Sequence, residues 1–222
     1  MTNTPINYNT WDRSGKGKNI LHLLTPDELK IWNAALPYQD ARPNDRGHIE
    51  VVTYFALQLL EIMIGAERKV VIPATILHDI GWSQVSQESR DLFKNPYSPH
   101  FEEVDNPKMR RFHQYESIRL ATGILLGSQY PTYSPTSSIV DILRIIGDHD
   151  TRDNFEGLNA HVMGDADRLW RFTVIECENY GWKPVDFIAR CRKNLEKRHY
   201  LLTPAGSAIA EAELKNTEAY FG

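Results

Sequence analysis

Apolar residues recur at intervals of three and four along most of this chain. Ile49, Val52, Phe55, Ala56, Leu59, Leu60 and Met63 make the widest such stripe. A helical period of 3.6 residues turns positions with this spacing to one side, so the pattern predicts a buried helix face. That helix is expected from Asn44 or Asp45 to Gly65. Thr25 followed by Pro26, Asp27 and Glu28 has the chemistry of a helix start, and predicts a helix to about Leu36, before Pro37. Further helices are predicted from Arg68 to His78, through Ser86 to Phe93, from Asn106-Pro107 to Gly127, and around Ile139 to Ile146. The remaining three are expected from Leu158 to Tyr180 with Gly181 as its stop, from Pro184 to about Lys197, and from about Pro204 to Tyr220. The last is rich in Ala and Glu and is expected to pack on the outside. No segment keeps the strict alternation of a strand. The expected fold is all-α: one domain over residues 25–222, a motif region at 45–181, and an N-terminal arm over 1–24. The Asn, Pro and Ser-rich stretch from Asn95 to Asn106 is a candidate lid.

Polar residues break the apolar runs at particular places. Val70 to Leu77 is continuously apolar apart from Thr75, and ends in His78-Asp79. Ile139 to Ile146 similarly leads to His149-Asp150. Burying such groups costs several kcal/mol unless they find partners. Imidazole and carboxylate donors from different helices suit Mn, Fe, Co, Ni or Zn. His48, His78, Asp79 and Asp167 supply one such set. His113 and His149 would complete a second position, with Asp79 bridging because a carboxylate has two oxygens to share. In the second dipeptide only His149 is given a role, and Asp150 is read as a helix-end or loop residue.

Composition narrows the partners. Across 222 residues the formal net charge is -4 and the pI near 6.1, which argues against a general nucleic-acid-binding surface and points to a small ligand. Two cysteines are too few for a disulfide framework or a thiolate zinc cage. Met1 to Thr10 is polar and no segment has the apolar length of a membrane span, so the expected location is cytoplasmic. The Ser14 to Lys18 run lacks the glycine spacing of a phosphate loop. A homo-oligomer is compatible with the sequence.

The order His48, His78-Asp79, His113, His149, Asp167 resembles the HD superfamily of metal-dependent phosphohydrolases. Ile76-Leu77-His78-Asp79-Ile80-Gly81 is similar to its central motif and Gly164-Asp165-Ala166-Asp167-Arg168-Leu169 to its closing one. The resemblance implies that Asp167, rather than Asp165, is a ligand, and that one or two ions activate a water for attack on a phosphorylated metabolite. Asp79, His113 and His149 would be the catalytic residues. Candidates for substrate contact are Lys108, Arg110, Arg111 and Arg168, whose charges suit phosphate, and Trp82, either as packing or as a stacking face. Asp165 is either a group orienting a ligand histidine or a cap of its own helical turn. Two other activities fit the same ligand order: a diiron oxygenase of the HD type, and a non-catalytic metal-containing binding module.

Overall fold

The computed structural model describes residues 20–39, 41, 43–91, 97, 107–127, 137–151 and 156–222, and every regular element among them is helical. The α-helices are α1 (Pro26–Ala35), α2 (His48–Ile62), α3 (Arg68–Leu77), α4 (Gln87–Asp91), α5 (Pro107–Leu125), α6 (Ser137–Asp148), α7 (Leu158–Leu169), α8 (Val174–Tyr180), α9 (Pro184–Glu196) and α10 (Pro204–Phe221). Short 3-10 turns at Ile80–Gln84 and Trp170–Phe172 prove important for the site.

Thr25 and Glu28 start α1 reciprocally. The Thr25 amide donates to Glu28 Oε2 at 2.7 Å and the Glu28 amide to Thr25 Oγ1 at 3.3 Å, satisfying two donors that a helix start leaves orphaned. Arg68 donates to both oxygens of Glu28 at 2.7 and 2.8 Å, so the same carboxylate ties α1 to the beginning of α3. Every residue of α3 from Val70 to Leu77 is buried. A helix apolar on all sides belongs at the centre, and α3 packs on α1, α2, α6 and α7.

One continuous core draws on every α-helix except α4, with Trp32, Phe55, Trp170, Phe172 and Phe187 among its largest fully buried side chains. Ile20 and Leu24 belong to it, so the last residues of the predicted arm are core. Residues 1–19, with the Ser14 to Lys18 run, lie outside the described residues. So does the candidate lid, apart from Tyr97. No helix among the described residues is long and apolar enough to cross a membrane.

Two expectations need correction. The single helix predicted from Leu158 to Tyr180 is two, because Thr173 takes an extended conformation (ψ 149°) and restarts the helix. Its hydroxyl donates to Trp170 O at 2.7 Å and accepts from Glu176 N at 3.3 Å. One side chain thus serves both the end of the 3-10 turn and the start of α8, a local alternative that Thr offers against a continuous helix. The last helix, α10, is not merely external. It buries Gly206, Ala210, Glu213, Leu214 and Thr217 and packs on α7 and α9.

Candidate metal centre

His48 is the first residue of α2, entered through Gly47, whose φ of 79° is a left-handed conformation that suits glycine. His78 closes α3 and Asp79 follows it; His113 lies in α5; His149 and Asp150 follow α6; Asp167 lies in α7. These residues from five helices and the turns after them converge.

His48 Nε2 lies 3.2 Å from His78 Nε2, 3.2 Å from Asp167 Oδ1 and 3.5 Å from Asp79 Oδ2. His78 Nε2 lies 3.5 Å from the same two carboxylate oxygens. The other oxygen of Asp79 faces a second group: His149 Nε2 at 3.2 Å and His113 Nε2 at 3.4 Å, with 3.3 Å between those two nitrogens. Ligands about 2.0–2.2 Å from one ion stand roughly 3.0–3.6 Å from each other. Both groups have that spacing, and Asp79 is the one side chain that belongs to both.

Asp150 joins the second group, its Oδ2 3.4 Å from His113 Nε2 and 3.8 Å from His149 Nε2. Asp150 follows a helix end as expected, but it also turns its carboxylate into the cluster, a role the sequence reading had not given it. The repeated His-Asp dipeptide was the signal.

The ring orientations fit a cation. His78 Nδ1 faces Thr75 O at 2.7 Å, His149 Nδ1 faces Ile146 O at 2.7 Å, and His113 Nδ1 faces Met109 O at 3.3 Å. A carbonyl only accepts, so each Nδ1 carries a proton and each Nε2 is left to bind. His48 differs from these three: its buried Nδ1 has no hydrogen-bond partner among the described residues. Trp170 holds that ring edge-on at 5.2 Å.

The carboxylates raise two of the histidines, His48 and His149. Burial disfavours a charged His149 ring, but Asp150 and Asp79 outweigh it and lift the group to about 9. Burial also opposes charge on His48, yet the hydrogen bond and charge of Asp167 raise it. For His113 burial prevails and the group is lowered. Burial disfavours charge on Asp167 too, but His48 and His78 hold its carboxyl well below the usual range.

The carboxylates of Asp79, Asp167 and Asp150 are 12, 13 and 23% exposed, and the cluster opens on that side. Asp45, Arg110, Arg171 and Tyr180 line the cleft with it, around roughly 380 Å³ of open space. The Tyr180 hydroxyl donates to Asp45 Oδ1 at 3.0 Å. A second recess, bounded by Gln39, Ala41, Ile49, Ile80 and Trp82, shares Asp45, His48 and Asp79 with the cleft.

The candidate substrate contacts are redistributed. Lys108 and Arg111 are exposed and do not line the cleft. Arg168 donates to the carbonyls of His199 and Tyr200 at 3.3 and 2.8 Å. Trp82 is buried and stacks on His113, with centroids 4.2 Å apart and planes at 14°; it supports that ring. Arg110 does reach the cleft, donating to Asp150 O at 3.2 Å. Asp45, Arg171 and Tyr180 were not singled out from the sequence.

Asp165 neither orients a ligand histidine nor caps its own turn. Its Oδ1 accepts from Leu202 N at 2.6 Å, and its Oδ2 from Thr203 N at 2.9 Å and Thr203 Oγ1 at 2.6 Å. Burial raises its pKa and those hydrogen bonds oppose the rise. Asp165 fastens the start of α10 to α7, and the absence of a side chain at Gly206 makes room for it. Asp165→Ala is expected to cost about 3 kcal/mol by stranding buried donors, read as a lower urea midpoint, with metal uptake by the folded protein unchanged. A loss of metal at unaltered stability would instead make Asp165 part of the centre.

Cys177 and Cys191 are both buried, and burial pushes each thiol up to about 12. They are structural rather than reactive. Comparison with models of known families, with curated proteins and with solved structures finds no match to this chain. What fold and geometry define is an all-α protein whose buried His and Asp groups can hold a metal ion.

Proposed function

We propose that the protein is a metal-dependent phosphohydrolase of the HD type, acting on a nucleotide or another small phosphorylated metabolite. The observation that supports this most is the position of Asp79, whose two oxygens face two separate groups of donors. Divalent ions held there would supply Lewis acidity and a bound water of lowered pKa. Asp79 sets the spacing of the two positions. Asp45, fixed by Tyr180, stands beside His48 and Asp79 on the cleft and can accept the proton of the attacking water. The adjoining recess under Ile49, Ile80 and Trp82 suits an uncharged part of the substrate, and a closed core behind the cluster keeps bulk water to one side.

A second reading is a diiron oxygenase, favoured by the completeness of the second position, where His113, His149 and Asp150 meet Asp79. The two are separated by loading metal-free protein with Mn, Co, Zn or, anaerobically, Fe, and assaying phosphate release from phosphorylated metabolites beside oxygen consumption. Phosphate release abolished by His78→Ala supports the hydrolase. Oxygen uptake by the iron form alone, without phosphate release, would replace it with the oxygenase, and binding without turnover under any metal would leave only a binding module.

The pH dependence has a definite sign. His149 is raised from 6.5 to about 9, so in the metal-free protein its contribution to stability is complete below pH 6.5 and is lost as pH rises through about 9. Metal at the second position must displace that proton. Its affinity is expected to rise through the same interval by up to about tenfold per pH unit. Calorimetry in two buffers of different ionisation enthalpy, near neutral pH, should record proton release on metal uptake; pH-independent uptake without proton release would contradict this.

A further inference from the structure

Arg171 stands out from the other arginines of the site. It lines the cleft beside Asp79 and Asp167, its side chain is 35% exposed, and its guanidinium makes no hydrogen bond among the described residues; its backbone carbonyl accepts from Cys191 Sγ. Its closest charged partner is Glu176 Oε1, at 3.7 Å. That oxygen already accepts from Arg190 Nη1 at 3.0 Å. One buried carboxylate therefore faces two guanidiniums, holding Arg171 in place without neutralising it. The direction of Arg171 follows from the chain break: Thr173 ends the 3-10 turn that contains it, and Glu176 sits in the first turn of α8 on a hydrogen bond from its amide to Thr173 Oγ1.

Net charge gives the complementary argument. The cleft is lined by four carboxylates, Asp45, Asp79, Asp150 and Asp167, and by two guanidiniums, Arg110 and Arg171. Two divalent ions would turn this deficit into a surplus of two positive charges, with the histidines as neutral ligands. A cleft closed on one side by low-dielectric core concentrates such a surplus. Its complement is an oxyanion with two negative charges, and a guanidinium fork matches the oxygens of a terminal phosphate.

We infer that Arg171, assisted by Arg110, is an oxyanion subsite for a doubly charged terminal phosphate, and that Glu176 is its positioning residue. The substrate class is then the phosphomonoester rather than the singly charged diester. This inference rests on the two-ion reading of the cluster and concerns the binding of the anion, which can be measured without turnover.

The test is calorimetric titration of inorganic phosphate, and separately of dimethyl phosphate, into the full chain loaded with metal, with ion content and thermal midpoint recorded for each variant. Arg171→Ala should weaken phosphate by about tenfold to a hundredfold, the loss expected for a charge-assisted pair, with ion content unchanged. Arg171→Lys should fall between, keeping the charge and losing the fork. Glu176→Gln should weaken phosphate while metal stays bound. Dimethyl phosphate should bind at least about tenfold more weakly than phosphate to the unaltered protein and be little affected by Arg171→Ala. Equal affinity for phosphate in the unaltered and Arg171→Ala proteins, at equal ion content, would overturn the subsite. Equal binding of the two anions would overturn the assignment to a dianion. Arg171-dependent phosphate binding without phosphomonoester turnover would support the subsite while removing the hydrolase reading.

Discussion

Asp79→Ala is expected, on the two-ion phosphohydrolase reading proposed above, to lower metal content from two ions per chain to at most one weakly held ion, and phosphate release by at least about a thousandfold, equivalent to roughly 4 kcal/mol of transition-state stabilisation. The other ligands touch one group of donors; Asp79 Oδ2 belongs with His48 and His78, and Oδ1 with His113 and His149. Removing it takes a ligand from each position and also the spacer between them. The four imidazoles would then face each other with less negative charge to hold their protons, so the raised pKa of His149 should fall towards its ordinary value. Elemental analysis after dialysis, activity and an NMR titration of the histidines check the three consequences together. Two tightly held ions in Asp79→Ala would mean that the donors do not form a bridged pair.

Gly81→Ala should be the most damaging alanine substitution among the described glycines. Gly81 lies in the 3-10 turn after Asp79, and its amide donates to Ser117 Oγ at 2.8 Å. A Cβ there would meet His113 O, Ser117 N and Ser117 Oγ. Two of these are backbone atoms of α5, so no rotamer change relieves the clash and the helix must withdraw. A cost of about 3 kcal/mol or more is expected, seen as a large drop in the denaturation midpoint. Because His113 rides on α5 and the His48, His78 and Asp167 group does not, the surviving folded protein should lose affinity at the second position first. A variant with wild-type stability and two-site metal binding would show that α5 does not need this close approach.

How much of this was readable in the sequence differs by residue. Helix existence followed from apolar periodicity, and α1, α9 and α10 begin at residues whose capping or proline chemistry is visible locally. His78-Asp79 and His149 were legible because polar groups ended an apolar run, whereas His48, His113 and Asp167 were picked out by the order and motifs of the family resemblance. Asp150 was not, since an acid after a helix usually faces water; only the turn at residues 149–150 brings both members of the dipeptide inward. Arg111 and Arg168 were candidates because their charges suit phosphate, but residues one or two apart on a helix do not share a face, so neither is carried into the cleft with His113 or Asp167. Arg110 obeys the three-residue rule relative to His113 and does reach the cleft. Arg171 was hidden by the expectation of an unbroken helix, since the competition that Thr173 wins depends on two backbone partners not apparent from composition.

The two His-Asp pairs also share an electrical setting. His78-Asp79 follows the carboxyl end of α3, and His149-Asp150 follows that of α6. Aligned peptide dipoles place about half an elementary negative charge at each such end, so two backbone fields of the same sign are aimed into one small volume. The polypeptide itself thus favours a cation there before any side chain is counted. The same fields oppose an incoming anion, so the phosphate subsite proposed above calls for a guanidinium from a different part of the chain, the 3-10 turn after α7, on the open side.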